Sequence, residues 1–370
     1  MSESRLPSLD EATQYLPVGD QNARSLYGTL LLPAEDAAMA AGNKVEVIYS
    51  RVVGYLLLHP PSEAARATVT LELASCNKDG EPFLAVYGLG AMYLKLLIQI
   101  FKKTRGRTPV PSYHSSRHFF DPIRDDYLQN VRATPRDHSS AKAAGLVRDD
   151  YRCMLTDGVD EKYGTILPDD DSPTTRTWCC HIFPDSLGNN NQVAVGGTGA
   201  EERQVATVWT ILEQFGYGDV CDQLKPDTEG TNLHRMENVM TLDMVVHERF
   251  DDLRLWLEEV PDKLKPTFNY QRQQRDCYYV RLAEPLTHRS TGMPERVQFV
   301  AHSDHPLPSP RFLQIHAACC RVAHLAGAAE HLDEILDEGE GMKVLDPDGS
   351  SARALEYYLL RCGSRPVPSA

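Results

Sequence analysis

The sequence predicts an α+β fold, with helices toward the two ends of the chain and short strands in its middle and after residue 260. Three observations carry that prediction. Apolar residues recur at helical spacing through 45–58 (VEVIYSRVVGYLLL) and 85–101, so each segment can bury a face. Shorter apolar or aromatic runs at 178–183, 238–242, 277–282 and 296–302 have strand length instead. Over 370 residues, 42% hydrophobic and 24% charged content supplies a core and excludes collagen, coiled coil and wholesale disorder.

Taken in order, residues 1–44 are polar and Ala-rich and read as an N-terminal arm with one short helix at 33–41. Residues 45–150 form a helical region. After 85–101 the segment KKTRGRTPVPS is forced into a loop by Gly106, Pro109 and Pro111. Asp137 or Ser139 then caps a helix reaching about Val147, since either side chain accepts a free amide of the first turn. Residues 151–260 read as a unit of two strands with helices at 201–215 and from about Asp243 onward. Its GGTGAEE segment lacks the Lys-Ser/Thr of a phosphate loop. Residues 261–370 carry a strand hairpin at 277–282 and 296–302, then helices at 310–334 and 351–362.

Thirty-eight basic residues stand against fifty-two acidic ones, a net charge of −14, the wrong sign for holding nucleic acid by overall field. The charge is uneven. Between Lys95 and Arg152 twelve Lys/Arg face six Asp/Glu, a local +6 that leaves −20 on the rest. That stretch reads equally as solvated helix faces with one loop or as a surface for a nucleic-acid partner; in the second case Lys102, Lys103, Arg105 and Arg107 are expected on the side of His181. The first residues show neither a basic nor an apolar leader region. No run approaches 18 consecutive apolar residues, so no membrane partner is expected. Nine cysteines, with adjacent pairs at Cys179–Cys180 and Cys319–Cys320, do not read as a disulfide framework. An intracellular, cytoplasmic or nuclear, location is the expectation.

The chemistry concentrates in YRCMLTDG (151–158), WCCHIFPDS (178–186) and HRMENVMTLDMVVHERFDDLRLWLE (234–258). A first strand would end by presenting His181. A second, 238–242, would begin at Asn238, and a helix would carry His247 nine residues after Asn238, enough for a strand, a turn and one helical turn. On periodicity alone, His247 and Asp251 are polar residues on the outer face of a helix whose inner face is Val246, Phe250, Leu253 and Leu257. A second stripe, His316, Cys320 and His324, spans too much of one helix to share a single metal and reads as polar knobs in packing.

The strand–His, strand–Asn, helix–His order resembles the HNH endonuclease superfamily. More closely, the chain resembles the fungal proteins, mainly from mushrooms, that carry an HNH domain between helical and mixed flanks. The phrases RVVGYLLLHPPSEA, RDDYRCMLT, FGYGD, HRMENVMTLD, HERFDDLRLWLE, LPSPRFLQIHAAC and LDPDGSSA carry the likeness. It implies a central ββα-metal element wrapped by the N-terminal helices and the C-terminal strand-plus-helix region. It also implies His181 as general base, Asn238 as the residue orienting it by a hydrogen bond, and His247 as ligand to one divalent metal ion. Cys180 stands where many members have an Asp or His ligand. Asp251, one turn after His247, completes the candidate metal set as ligand or outer partner. The ion implied is Mg²⁺ or Mn²⁺, with Zn²⁺ as the alternative that a thiolate favours. No CxxC pairs flank the site, so no structural zinc is expected.

These implications set three expectations: a metal-dependent HNH-type nuclease, the same scaffold repurposed for a small-molecule cyclisation or elimination, or an inactive binding relative. The acidic charge and Cys180 favour the second over a conventional nuclease.

Overall fold

The computed structural model describes residues 5–102, 135, 137–164, 172–188, 208–225, 232–261, 276–283 and 292–341. It is an α+β protein. Two short helices, Leu9–Ala12 and Gln21–Leu26, precede the longer ones: α1 (Leu32–Ala40), α2 (Lys44–Leu58), α3 (Glu63–Cys76), α4 (Pro82–Tyr93), α5 (His138–Arg148), α6 (Val208–Gln214), α7 (Gly218–Leu224), α8 (Met244–Asp251), α9 (Pro310–Ala326) and α10 (Ala328–Gly341). Besides a two-residue parallel pair, Val159–Asp160 with Thr174–Thr175, the strands are β1 (Thr177–His181), β2 (Val239–Asp243), β3 (Leu255–Glu259), β4 (Cys277–Leu282) and β5 (Arg296–Gln298). β1 and β2 form an antiparallel pair, and β3–β4–β5 a second antiparallel sheet.

Side-chain caps set several helix starts. Asn43, Ser62, Asp137 and Asp243 each accept an amide of the first turn of α2, α3, α5 and α8. Helix α2 is the central rod, with Val52 to Leu58 all buried, and α4 crosses it at very short range. Gly90 makes that crossing possible, since a Cβ there would sit 2.1 Å from the Tyr49 carbonyl oxygen. From α4 the chain widens through a π turn, Leu94–Ile98, and then tightens into a 3₁₀ turn, Gln99–Phe101. Pro82–Phe101 is apolar and long enough to cross a membrane; a fair part of it is packed into the core.

Three expectations need correction. Residues 5–44 are not an arm: Leu6, Leu16, Tyr27, Leu30 and Leu31 belong to the same core as α2 and α9. The helix carrying His247 does not run on to Leu257. Leu253 adopts a left-handed conformation (φ 63°), and the amides of Leu253 and Arg254 close back on the Phe250 and Arg249 carbonyls. Residues 255–259 then join a sheet, so Leu257 is a buried strand residue. The long C-terminal helix is likewise broken, at Gly327 (φ 75°). The GGTGAEE loop, residues 201–207 of the helix expected at 201–215, and the helix expected at 351–362 lie outside the described residues.

The stripe on α9 is internal bracing for α8. The His316 ring stacks on Phe250 at 3.8 Å between centroids and 7° between planes, and Cys320 Sγ lies 3.6 Å from its ring nitrogens. His324 Nε2 lies 2.9 Å from the Leu253 carbonyl oxygen, so its N–H meets the left-handed turn. Burial pushes the His316 imidazole down to about 3, whereas in the unfolded chain it takes up a proton near 6.5. Its contribution is therefore intact above pH 6.5 and is lost as the pH falls. Between pH 7 and pH 5 the native protein should lose about 2 kcal/mol more stability than His316→Phe, measured by urea unfolding. Parallel losses in the two proteins would refute this.

Candidate metal centre

Two strands and a helix meet at the site. β1 and β2 pair with Thr177 opposite Asp243 and His181 opposite Val239, and α8 follows β2 directly. Asp243 makes that turn. Its carboxylate accepts the Val246 amide at 2.9 Å and the Thr156 hydroxyl at 2.9 Å, while its own amide donates to Cys153 Sγ at 3.2 Å. The Met154 amide meets the Thr241 carbonyl at 2.9 Å. The RCMLT segment is thus a splint along β2.

Arg148 anchors the other end. Its guanidinium is fully buried, forks onto Asp149 at 2.7 and 2.8 Å, and donates to the carbonyls of Met236 and Val239 at 2.9 Å and of Pro306 at 3.2 Å. Met236 and Val239 flank Asn238, which is fully buried. The Asn238 side chain accepts the Phe183 amide at 2.8 Å and donates to the carbonyls of Phe183 and Leu233 at 2.9 and 2.8 Å. All three of these bonds are with backbone and none is with the imidazole, which corrects the expectation of a direct bond. Asn238 positions His181 by stapling the chain two residues beyond it.

Alternation along β1 divides its side chains. Cys180 falls on the α8 side, where one ligand atom from each of Cys180, His247 and Asp251 lies within 4.8 Å of the others. His247 Nε2 is 3.5 Å from Asp251 Oδ2, one helical turn on. Cys180 is wholly buried, His247 is 9% exposed, and Trp178 stacks parallel to the His247 ring. Sulfur, imidazole nitrogen and carboxylate oxygen are the ligand types of zinc, and three protein donors is the number used in catalytic zinc sites. The set fits Zn²⁺ or a neighbouring transition ion and suits Mg²⁺ poorly, because Mg²⁺ wants oxygen ligands in an octahedron.

His181 turns toward a different group. Its Nε2 lies 3.1 Å from His234 Nδ1 and 3.3 Å from Asp185 Oδ1, and its ring lies 5.6 Å from that of His138 at the start of α5. The side chain is 6% exposed. Burial, then the neighbouring His234, His138 and His247, push the imidazole down to about 3, with Asp251 working the other way. His247 and Asp251 thus act on His181 electrostatically from across the strand.

The residues singled out by sequence therefore form two neighbouring groups: Cys180, His247 and Asp251 in one, His181 in the other. Asp185, His234 and His138 were missed. His181 and Asp185 stand four apart and His234 four before Asn238, spacings that carry no signal in loops. His138 is the first residue of a capped helix, and nothing in its spacing marks it.

The basic stretch also has other work. Lys102 is fully buried and pairs with Asp333 at 2.8 Å, Arg148 is the clamp described above, and Lys142 donates to the Thr177 carbonyl at 2.9 Å. Lys103, Arg105 and Arg107 lie outside the described residues. The chain matches no known protein-family model, no curated protein and no solved structure.

Proposed function

We propose that the protein is a metal-dependent phosphodiesterase of the ββα-metal, HNH-like kind, acting on nucleic acid, with a transition ion held by Cys180, His247 and Asp251. The observation that carries the reading is the convergence of those three donors between a strand pair and the helix that follows it, with His181 on the last residue of the first strand. A divalent ion at these donors supplies stabilisation of charge on the phosphate and on the leaving oxygen. His181 accepts the proton of the attacking water. Placing its own proton on Nε2, toward Asp185 and His234, leaves Nδ1 with the lone pair a base needs. Asn238 holds the strand end, and so the ring, in place through Phe183.

The test is cleavage of plasmid and single-stranded DNA by the Zn²⁺- or Mn²⁺-loaded protein. His181→Ala should lower turnover by about 10²–10⁴-fold while leaving metal affinity within a few-fold of the native value. Metal-loaded native protein that cleaves neither substrate would overturn the nuclease reading.

The second reading, a small-molecule enzyme on the same framework, is favoured by the enclosure of His181 and by the burial of Lys102 and Arg148 in internal contacts. A duplex needs an open, basic face, and its binding weakens steeply with salt. Salt-independent binding of a small anionic or apolar substrate would favour this alternative.

A further inference from the structure

The group around His181 has a shape of its own. His181 Nε2, His234 Nδ1 and Asp185 Oδ1 form a triangle with edges of 3.1, 3.3 and 3.7 Å. Zinc binds imidazole nitrogen and carboxylate oxygen at about 2.0–2.2 Å, so two ligands of a tetrahedral zinc ion stand about 3.3–3.6 Å apart. The triangle is already close to one face of that tetrahedron.

Each neutral imidazole carries one proton, which its other nitrogen can hold, and then the lone pairs of His181 Nε2 and His234 Nδ1 both face the same point as the Asp185 carboxylate. A cation at the centre of the face meets all three. Both histidine side chains are nearly buried, at 6% and 10% exposure, while Asp185 is 45% exposed and opens the group to solvent. The donors are fixed from two directions: β1 delivers His181, and Asn238, bonded to Leu233 and Phe183, holds the segments bearing His234 and Asp185 together. Near them, one ligand atom from each of His138, Cys179 and His181 also lies within 4.8 Å of the others.

We propose that His181, His234 and Asp185 form a second zinc site, separate from the Cys180–His247–Asp251 set, and that filling it silences His181. The silencing follows from imidazole chemistry and rests on the base role proposed above. Zinc on Nε2 leaves the ring's one proton on Nδ1, where it occupies the lone pair a base would use. One ion would then serve the reaction, while a second, bound when zinc is abundant, would stop it.

The experiment counts sites and identifies them by donor type. The metal-free full-length protein is titrated with Zn²⁺ against a chromogenic chelator, and with Co²⁺ while the sulfur-to-cobalt charge-transfer band is followed. The Cys180 set gives that band, and the nitrogen and oxygen donors of His181, His234 and Asp185 do not. The native protein should bind two Zn²⁺. His247→Ala should bind one and lose the cobalt–sulfur band. Asp185→Asn and His234→Gln should each bind one and keep it. Asp185→Asn is the safer variant for folding because the side chain is half exposed. Cleavage supported by Mn²⁺ should fall at least ten-fold as the second Zn²⁺ equivalent is added to native protein, whereas the residual activity of Asp185→Asn should not respond.

One zinc in the native protein, retained in Asp185→Asn and His234→Gln and lost in His247→Ala, would overturn the second site and leave the proposed metal centre standing. One zinc lost in Asp185→Asn and retained in His247→Ala would overturn the Cys180 set and keep the histidine pair as a site.

Discussion

Arg148→Met is expected to destabilise the protein by about 3–5 kcal/mol, the range for removing one partner of a buried ion pair. Arg148 has no exposed surface, and Asp149, at 6%, has almost none. Methionine fills much of the space but returns nothing to the Asp149 carboxylate or to the carbonyls of Met236, Val239 and Pro306, which would be left without their guanidinium partner. The damage should also be local. Two of those carbonyls flank Asn238, so the staple that fixes the end of β1 should loosen before the helices do. Urea unfolding gives the size of the effect, and amide hydrogen exchange at Ile182 and Phe183, whose N–H groups bond to Asn238, gives its place. A loss under 1 kcal/mol would show that water takes over the guanidinium contacts.

Arg148 also shows where reading the sequence stops. Counting charges puts it in a basic stretch and suggests a surface; the structure uses it, with Lys102, inside. Nothing in a charge sum separates a cation that faces solvent from one that gathers carbonyls. The central rod 44–58, the strand 277–282 and the Asp137 cap were legible because each is decided locally, by spacing or by a short-range hydrogen bond. The end of α8 was not. HERFDDLRLWLE keeps helical spacing through Leu257, and the left-handed Leu253 is held by tertiary contacts, among them His324 on a helix seventy residues later. The candidate site divides the same way. Cys180, His247 and Asp251 were named through the resemblance, since periodicity alone puts His247 and Asp251 on the outer face of a helix. Asp185 and His234 come from loops, and only the folded chain shows that they share His181.

The largest functional effect is expected at the helix. His247→Ala should abolish metal binding at the Cys180 set and, with it, turnover, because it removes the one imidazole of three donors and leaves a thiol and a carboxylate that cannot hold a transition ion at micromolar concentration. Cys180→Asp asks the complementary question. Cys180 is fully buried, and a carboxylate in its place would stand close to Asp251, so without metal the variant should be less stable than native protein. With metal the order of preference should invert. Thiolate selects zinc, whereas two carboxylates and an imidazole suit Mn²⁺ or Mg²⁺. Calorimetric titration should show the ratio of Mn²⁺ to Zn²⁺ affinity rising at least ten-fold, and Mn²⁺ should raise the variant's melting temperature more than that of native protein, since an ion that binds only the folded state stabilises it. If Cys180 merely packs against its neighbours, Cys180→Asp would lose stability that no ion restores and the affinity ratio would not move. Unchanged metal binding in His247→Ala would end the HNH-like reading altogether, because no other residue of α8 offers an imidazole at that turn.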